Sequence, residues 1–515
     1  MKGFGSHNKS KKKKIKKNNI SQEKIIKLAT NFHLQGNIKE AAKYYQYLID
    51  QKCINERVFS NYGIILRDQG KLKEAEFYTR KAIEVNPELA DSHSNLGNIF
   101  RDQSKLQDAE FAYRRAIEIK PDFANAYFSL FRHFEQINNL EKLKESLNEF
   151  KKINIIENER ILFSSRLSFR NKDYQGAKES IDNIAPEWIE KSNNIQKTIF
   201  WNFKAFIEDK VGNYDIAYTC FENSQKDQAY EKLNKNSYLD FIKSYQETII
   251  NKKTVFYKFN DEIEDSNLTF LIGFPRSGTT LLDTILRSHK DIEVIEEKPL
   301  ISTIEKIVKE KLNTKLCNIS DISKENIIIL RQQYFKLLNK YKTKNSHLFI
   351  DKLPLNTVSL PLINLIFPKA KIIFTHRHPY DTVLSCFQQS FKPNIAMANL
   401  VSLQSSSIMY DRVMFAWDIY KKNLYLDFVT SKYEDLIEDF DNHILKIIGF
   451  LGINWDENLK KYRKTAIERG KINTPSSSQV VQPLYKTSIK KWKNYEKYFE
   501  DCHQYLEKWI SYFNY

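Results

Sequence analysis

Cysteine is scarce in this chain, and the few cysteines lie far apart. Cys53, Cys220, Cys317, Cys386 and Cys502 are the five in 515 residues. None belongs to a CxxC pair and the count is odd, so neither a disulfide framework nor a zinc site is expected. A reducing cytoplasm is the compartment this favours. Long apolar runs are also missing. No stretch reaches the roughly 18 apolar residues of a membrane helix. The best, residues 360–374, is broken by Pro361, Pro368, Lys369 and Lys371. The first 20 residues lack acids altogether and carry eight lysines. Such a run repels itself and has nothing to bury, which predicts a disordered tail. No apolar segment follows it, so it does not read as a secretory leader. Beyond plain solvation, contact with nucleic acid, with an anionic membrane or with an acidic partner stays open for it.

What is present points to a folded, multidomain protein. Hydrophobic residues make up 41%, aromatics 13% and charged residues 28%, enough for a true core under a polar surface. The length predicts at least two domains. Net charge is +17, and the tail accounts for eight of it, leaving +9 for the other 495 residues. That remainder suits an enzyme with a strongly anionic ligand.

Self-comparison gives a period of 34. Ala41, Ala75 and Ala109 are 34 apart, as are Gly36 and Gly70, Gly63 and Gly97, and Pro87 and Pro121. The segments GKLKEAEFYTRKAIEVNPELA (70–90) and SKLQDAEFAYRRAIEIKPDFA (104–124) nearly superimpose. Small residues at 63, 75, 97 and 109 let antiparallel helices approach, apolar positions recur at helical spacing, and each proline follows a second helix, where it stops it. The pattern resembles the tetratricopeptide repeat. It is strongest over 36–130; residues 172–181 and 212–224 read as second helices of degenerate repeats. Stacked repeats present a concave surface, which implies peptide or protein binding, with a scaffold or dimerisation arm as the alternative.

The pattern changes after Asp265. Residues 268–272 are an apolar run, read as a buried parallel strand, feeding directly into GFPRSGTT (273–280) and an amphipathic helix. Strand, glycine-bounded loop and helix point backbone N–H groups at a phosphate. The GxxxxG spacing is that of a nucleotide loop, but Thr279 stands where a triphosphate enzyme needs lysine. Arg276 is the cation inside the loop. DIEVIEE (291–297), HLFIDKLPLN (347–356) and AKIIFTHRHPYDTVLSCF (370–387) add strands that end at Glu296 and Glu297, at Asp351 and Lys352, and at Arg377, with Ser385 on the next helix. Alternating strands and helices predict an α/β domain with a doubly wound parallel sheet and ligands at the strand C-terminal ends.

Together with SKYEDL (431–436) and SSSQVVQPLYKTSIKKW (476–492), these segments resemble the sulfotransferase family, in particular its tyrosylprotein branch, over roughly residues 266–495. The resemblance implies 3′-phosphoadenylyl sulfate as donor. Its 5′-phosphosulfate loop would be Arg276, Ser277, Gly278, Thr279 and Thr280. Its 3′-phosphate grip would be Arg377 and Ser385. Tyr433 and residues 476–485, among them Gln479, would stand near the donor, with Lys491 on the 3′-phosphate or adenine side. Sulfuryl transfer rests on positioning and electrostatics, and no metal is expected. Glu297, 21 residues beyond Arg276, is implied as the base that takes the acceptor proton, with Glu296 competing. Lys352 and Ser476 would meet charge on the leaving oxygen. His376 and His378 flank Arg377 and suit a phosphate-side or structural role better than that of a base. Gln389 stands where the eukaryotic branch has a second basic donor residue. Those relatives are membrane-anchored, luminal and disulfide-bonded; this chain shows neither an anchor nor paired cysteines, which fits a bacterial-type fusion of repeats to a soluble catalytic domain.

The expected layout is a basic tail over 1–20, tetratricopeptide repeats over 21–155, degenerate helical repeats or linker over 156–255, and a P-loop-type sulfotransferase domain over 266–515. A peptide tyrosine is the first acceptor to test. A carbohydrate, lipid or small-molecule hydroxyl is the alternative, and a repeat-based binding module with an inactive nucleotide domain the second. Nucleic acid is not an expected partner, and a homodimer stays open.

Overall fold

Antiparallel helix pairs fill the first part of the chain, and a parallel sheet organises the last. The computed structural model describes residues 21–151, 157–226, 230, 233–250, 267–343, 346–469, 474, 477–484 and 486–515. The lysine-rich tail and Ser476 lie outside the described residues. The chain divides into two compact units, one within Met1–Phe134 and Asn148–Ile155, the other within Glu135–Leu147 and Ile156–Tyr515.

The first unit is a run of paired helices, among them Ile38–Asp50, Glu56–Asp68, Leu72–Val85, Ala90–Asp102 and Leu106–Ile119. The residues that repeat every 34 positions sit between the helices: Ala41, Ala75 and Ala109 are fully buried, and a Cβ on Gly97 would fall 2.6 Å from the Tyr113 ring. Close helix approach is what demands small side chains there. The turn between the two helices of a pair has positive φ at Gly36, Gly70 and Ser104. The same backbone turn recurs at Asn138 and Lys172 in the second unit, each again 34 residues on.

In the second unit the helices Tyr174–Asp182, Asn194–Lys210, Tyr214–Ser224 and Asn236–Ile250 precede a five-stranded sheet. Its strands are β1 (Leu268–Gly273), β2 (Ile292–Glu296), β3 (Leu348–Lys352), β4 (Lys371–His376) and β5 (Asp427–Lys432). All pairings are parallel and the order is β2-β3-β1-β4-β5. Strand alternation splits the core in two. Leu268, Phe270 and Ile272 face one cluster, while Leu271, Ile350 and Ile373 face the other. The first cluster also takes in Ala205, Ala217, Phe221, Tyr238 and Ile242 from the preceding helices, and Tyr495, Trp509 and Phe513 from the chain end. The aromatic C-terminal helix His503–Tyr512 therefore docks on the sheet domain. Because the chain winds from β1 to one edge and then to the other, β1 is the switch point, the place at which sheets of this kind hold ligands beyond the strand C-terminal ends.

Candidate active site

The β1 strand runs into the glycine-bounded loop and then the helix Thr279–Leu286. The loop is braced from its neighbours. Gly273 N donates to Thr357 Oγ1 at 3.0 Å. Ser277 Oγ lies 2.8 Å from Thr375 Oγ1, which donates to Ile272 O at 3.0 Å. Gly278 caps the helix at φ 99°, and a Cβ there would stand 2.8 Å from Tyr433 Cδ2, so glycine is required on both counts. Arg276 also takes a positive φ, 68°. Its Nε donates to Ser385 Oγ at 3.0 Å and its Nη2 to Gln479 Oε1 at 3.1 Å. Thr279 and Thr280 are buried, and Thr280 Oγ1 donates to Thr474 Oγ1 at 3.2 Å.

From the end of β4, Arg377 comes to the same place. Its Nη2 donates to Ser488 O at 2.5 Å, its Nη1 reaches the carbonyl of Arg276 at 3.5 Å, and its guanidinium lies 5.0 Å from the centre of the Tyr433 ring. Its Nε is buried and has no hydrogen-bond partner among the described residues. Tyr433 OH is 3.0 Å from Ser488 Oγ. Two guanidinium groups, two serines and a helix N-terminus thus converge where β1 and β4 end. Such a donor set fits phosphate groups.

On the other side of β1, strands β2 and β3 pair Glu296 with Lys352. Lys352 is fully buried, with Nζ 2.9 Å from Glu297, 3.3 Å from Glu296 and 3.9 Å from Asp283. Burial works against its charge, but Glu296, Glu297 and Asp283 together raise its pKa above the usual lysine range. Glu296 is further held by an ion pair with Arg469 and is buried. Glu297 keeps 32% of its side chain exposed and adopts φ 49°. Of the two carboxylates, Glu297 is the one open to solvent. On β3 beside Lys352, Asp351 accepts from Tyr334 OH at 2.8 Å, and burial pushes its pKa up to about 7.

The Sulfotransferase family model matches residues 269–457, and Tetratricopeptide repeat models match 56–89 and 90–123. Residues 269–457 are a sulfotransferase-family domain. The chain is 24% identical over 242 residues to Protein-tyrosine sulfotransferase 1 of Danio rerio, covering 44% of this chain and 66% of that one. It is 24% identical over 243 residues to Protein-tyrosine sulfotransferase 1 of Homo sapiens, covering 44% and 64%. An uncharacterized protein of Aquifex aeolicus is 26% identical over 256 residues, 46% of this chain and 32% of that one. The match thus spans about a third to two thirds of these relatives. Among solved structures, the sulfotransferase domain of the Synechococcus PCC 7002 olefin synthase covers 49% of this chain and 98% of its own, with 20% identity and a TM-score of 0.35.

The structure gathers Arg276, Ser277, Gly278, Arg377, Ser385 and Tyr433 of this sulfotransferase domain, with Gln479 from beyond the matched residues, into one cluster, and Glu297 with Lys352 into another. Lys491 stands beside the segment that follows Ser385, with Nζ 3.2 Å from Gln388 Oε1 and paired with Asp209 at 2.8 Å. His376 stacks on Phe513 with its Nδ1 3.1 Å from Tyr515 OH, and burial pushes its pKa down to about 3. His378 lies against Trp492, and burial lowers its pKa as well. Both are packing groups. Sequence reasoning missed Thr357 and Thr375, which brace the loop, and Asp283 and Arg469, which complete the charge network around Lys352. Thr375 could have been found as the residue near the end of a strand that leads to Arg377. Arg469 had no local signal.

Proposed function

We propose that this sulfotransferase domain moves a sulfuryl group from 3′-phosphoadenylyl sulfate to a tyrosine of a peptide or protein. The observation that carries the reading is the meeting of Arg276 with Ser385, at 3.0 Å, beside the guanidinium of Arg377. A donor phosphorylated on both the 3′ and 5′ sides needs a cation for each phosphate close together, and Arg276 after β1 and Arg377 after β4 would supply them. Arg276 and residues 277–280 would hold the 5′-phosphosulfate. Arg377 and Ser385 would hold the 3′-phosphate, with Tyr433 and Gln479 beside the donor, as the likeness to relatives named protein-tyrosine sulfotransferases suggests.

The chemistry then falls to Glu297 and Lys352. The acceptor oxygen forms a bond to sulfur, the bond from sulfur to the 5′-phosphate oxygen breaks, and the acceptor proton passes to Glu297. General-base help of this kind contributes roughly 10²–10⁴-fold. The 2.9 Å pair couples the two residues. As Glu297 takes the proton it loses its charge, and the positive charge of Lys352 is left to stabilise the leaving oxygen. Ser476 is a second donor for that oxygen by resemblance. The repeats would bind the acceptor peptide.

The test is incubation of the full chain with sulfur-labelled donor, acidic tyrosine peptides and glycans. Label in peptide is expected. Label in glycan alone would replace the acceptor. No label, with no binding of adenosine 3′,5′-bisphosphate, would overturn the enzymatic reading and leave a repeat-based binding module.

A further inference from the structure

The helix Asn194–Lys210 brings a carboxylate to the sheet domain that the reaction above does not use. The Asp209 side chain is 4% exposed, pairs with Lys491 Nζ at 2.8 Å and accepts from Tyr495 OH at 2.7 Å. Lys491 and Tyr495 both belong to the 3-10 helix Lys491–Cys502. The start of that helix is tied to the Arg377 side of the site. Asp381, four residues after Arg377, accepts from Lys490 N at 2.7 Å and Trp492 N at 2.9 Å. Lys491 Nζ also lies 3.2 Å from Gln388 Oε1, three residues after Ser385. Further bonds join the same helical segment to the backbone that follows Ser385. Asn202 Nδ2 donates to Gln388 O at 3.0 Å, and Gln225 Nε2 donates to Phe387 O at 2.7 Å and to Gln389 O at 3.0 Å.

We propose that Asp209 is a positioning residue for the donor, holding Lys491 at the 3′-phosphate end of the Arg377–Ser385 grip, so that the helical hairpin 194–224 is part of the nucleotide site. The proposal rests on the donor reading given above. A lysine is a point charge on a flexible stem, and a buried carboxylate orders it before the ligand arrives. Asp209 also favours the charged form of that ammonium. Burial and the nearby Lys210 and Arg377 lower the Lys491 pKa, and Asp209 opposes them. Without Asp209, Lys491 would swing away, and the 3′-phosphate would lose a cation.

The experiment is calorimetric titration of the full chain with adenosine 3′,5′-bisphosphate and, separately, with adenosine 5′-phosphate. Failure of the unaltered chain to bind the bisphosphate would sink the donor reading itself. Given that binding, Asp209→Asn should weaken the bisphosphate about tenfold and leave the 5′-phosphate unchanged. In turnover, the donor KM should rise with kcat little altered. Lys491→Met should do the same, and the double variant should be no worse than either single one. Equal weakening of both nucleotides, or of neither, overturns the proposal. Should Asp209→Asn fail to fold, Tyr495→Phe removes the second contact on Asp209 and should give a smaller loss confined to the bisphosphate; unchanged bisphosphate affinity would then overturn it.

Discussion

Glu297 departs from ordinary backbone geometry at the point where β2 ends. Its φ of 49° continues the ladder through its N–H, which donates to Lys352 O at 2.8 Å, and turns its side chain onto the Lys352 ammonium. Positive φ in a non-glycine residue costs energy and persists where surroundings enforce it. Glu297→Gln should lower kcat by roughly 10²–10⁴-fold and leave adenosine 3′,5′-bisphosphate affinity unchanged, measured by turnover and calorimetry. Full turnover would return the role to Glu296. Asp351 has a different consequence. Its folded pKa, about 7, lies above the ordinary aspartate value, so the folded state holds a proton that the unfolded chain has released. Stability therefore falls as pH rises from about 4 to about 7. Asp351→Asn should keep an acceptor for Tyr334 and stabilise the chain at pH 8 by roughly 1–3 kcal/mol, with the gain vanishing near pH 4 in denaturant melts.

Elements show how one backbone turn outlives its sequence signature. The turn at Gly36 and Gly70 passes to Ser104, Asn138 and Lys172, with φ between 55° and 77° throughout. At Gly70 a Cβ would meet nothing within 4 Å, so Gly70→Ala tests φ alone and should cost about 1 kcal/mol. Lys172→Gly should stabilise by about 0.5 kcal/mol, since glycine adopts that φ without strain. Thermal melts check both. Gly278→Ala meets an added clash with Tyr433 and should abolish bisphosphate binding at a measurable loss of stability. The repeat was legible over 36–130 because its small residues and prolines are interface and stop signals. It faded further on because only the turn geometry persisted there, and asparagine or lysine can supply that. The strands and the loop were legible from apolar runs ending in chemistry-bearing residues.

Across the whole molecule, the helices over 194–250 share a core with the sheet, through Ala205, Phe221, Tyr238 and Ile242. A fragment beginning at residue 251 would expose that surface and should not melt cooperatively, whereas one beginning at residue 135 should, as followed by circular dichroism. None of this was visible in sequence. Asp209 and Lys491 are 282 positions apart, and a charge pair over that distance leaves no local pattern. Asp283 and Arg469 were hidden for the same reason. The strand order β2-β3-β1-β4-β5 carries a last implication. Glu297 and Lys352 come from one flank of β1, and Arg377, Ser385 and Tyr433 from the other. On the proposed reading, mutational drift on the first flank would retune which hydroxyl is accepted while the second went on gripping the same nucleotide, so related chains would diversify their targets without having to reinvent their fuel.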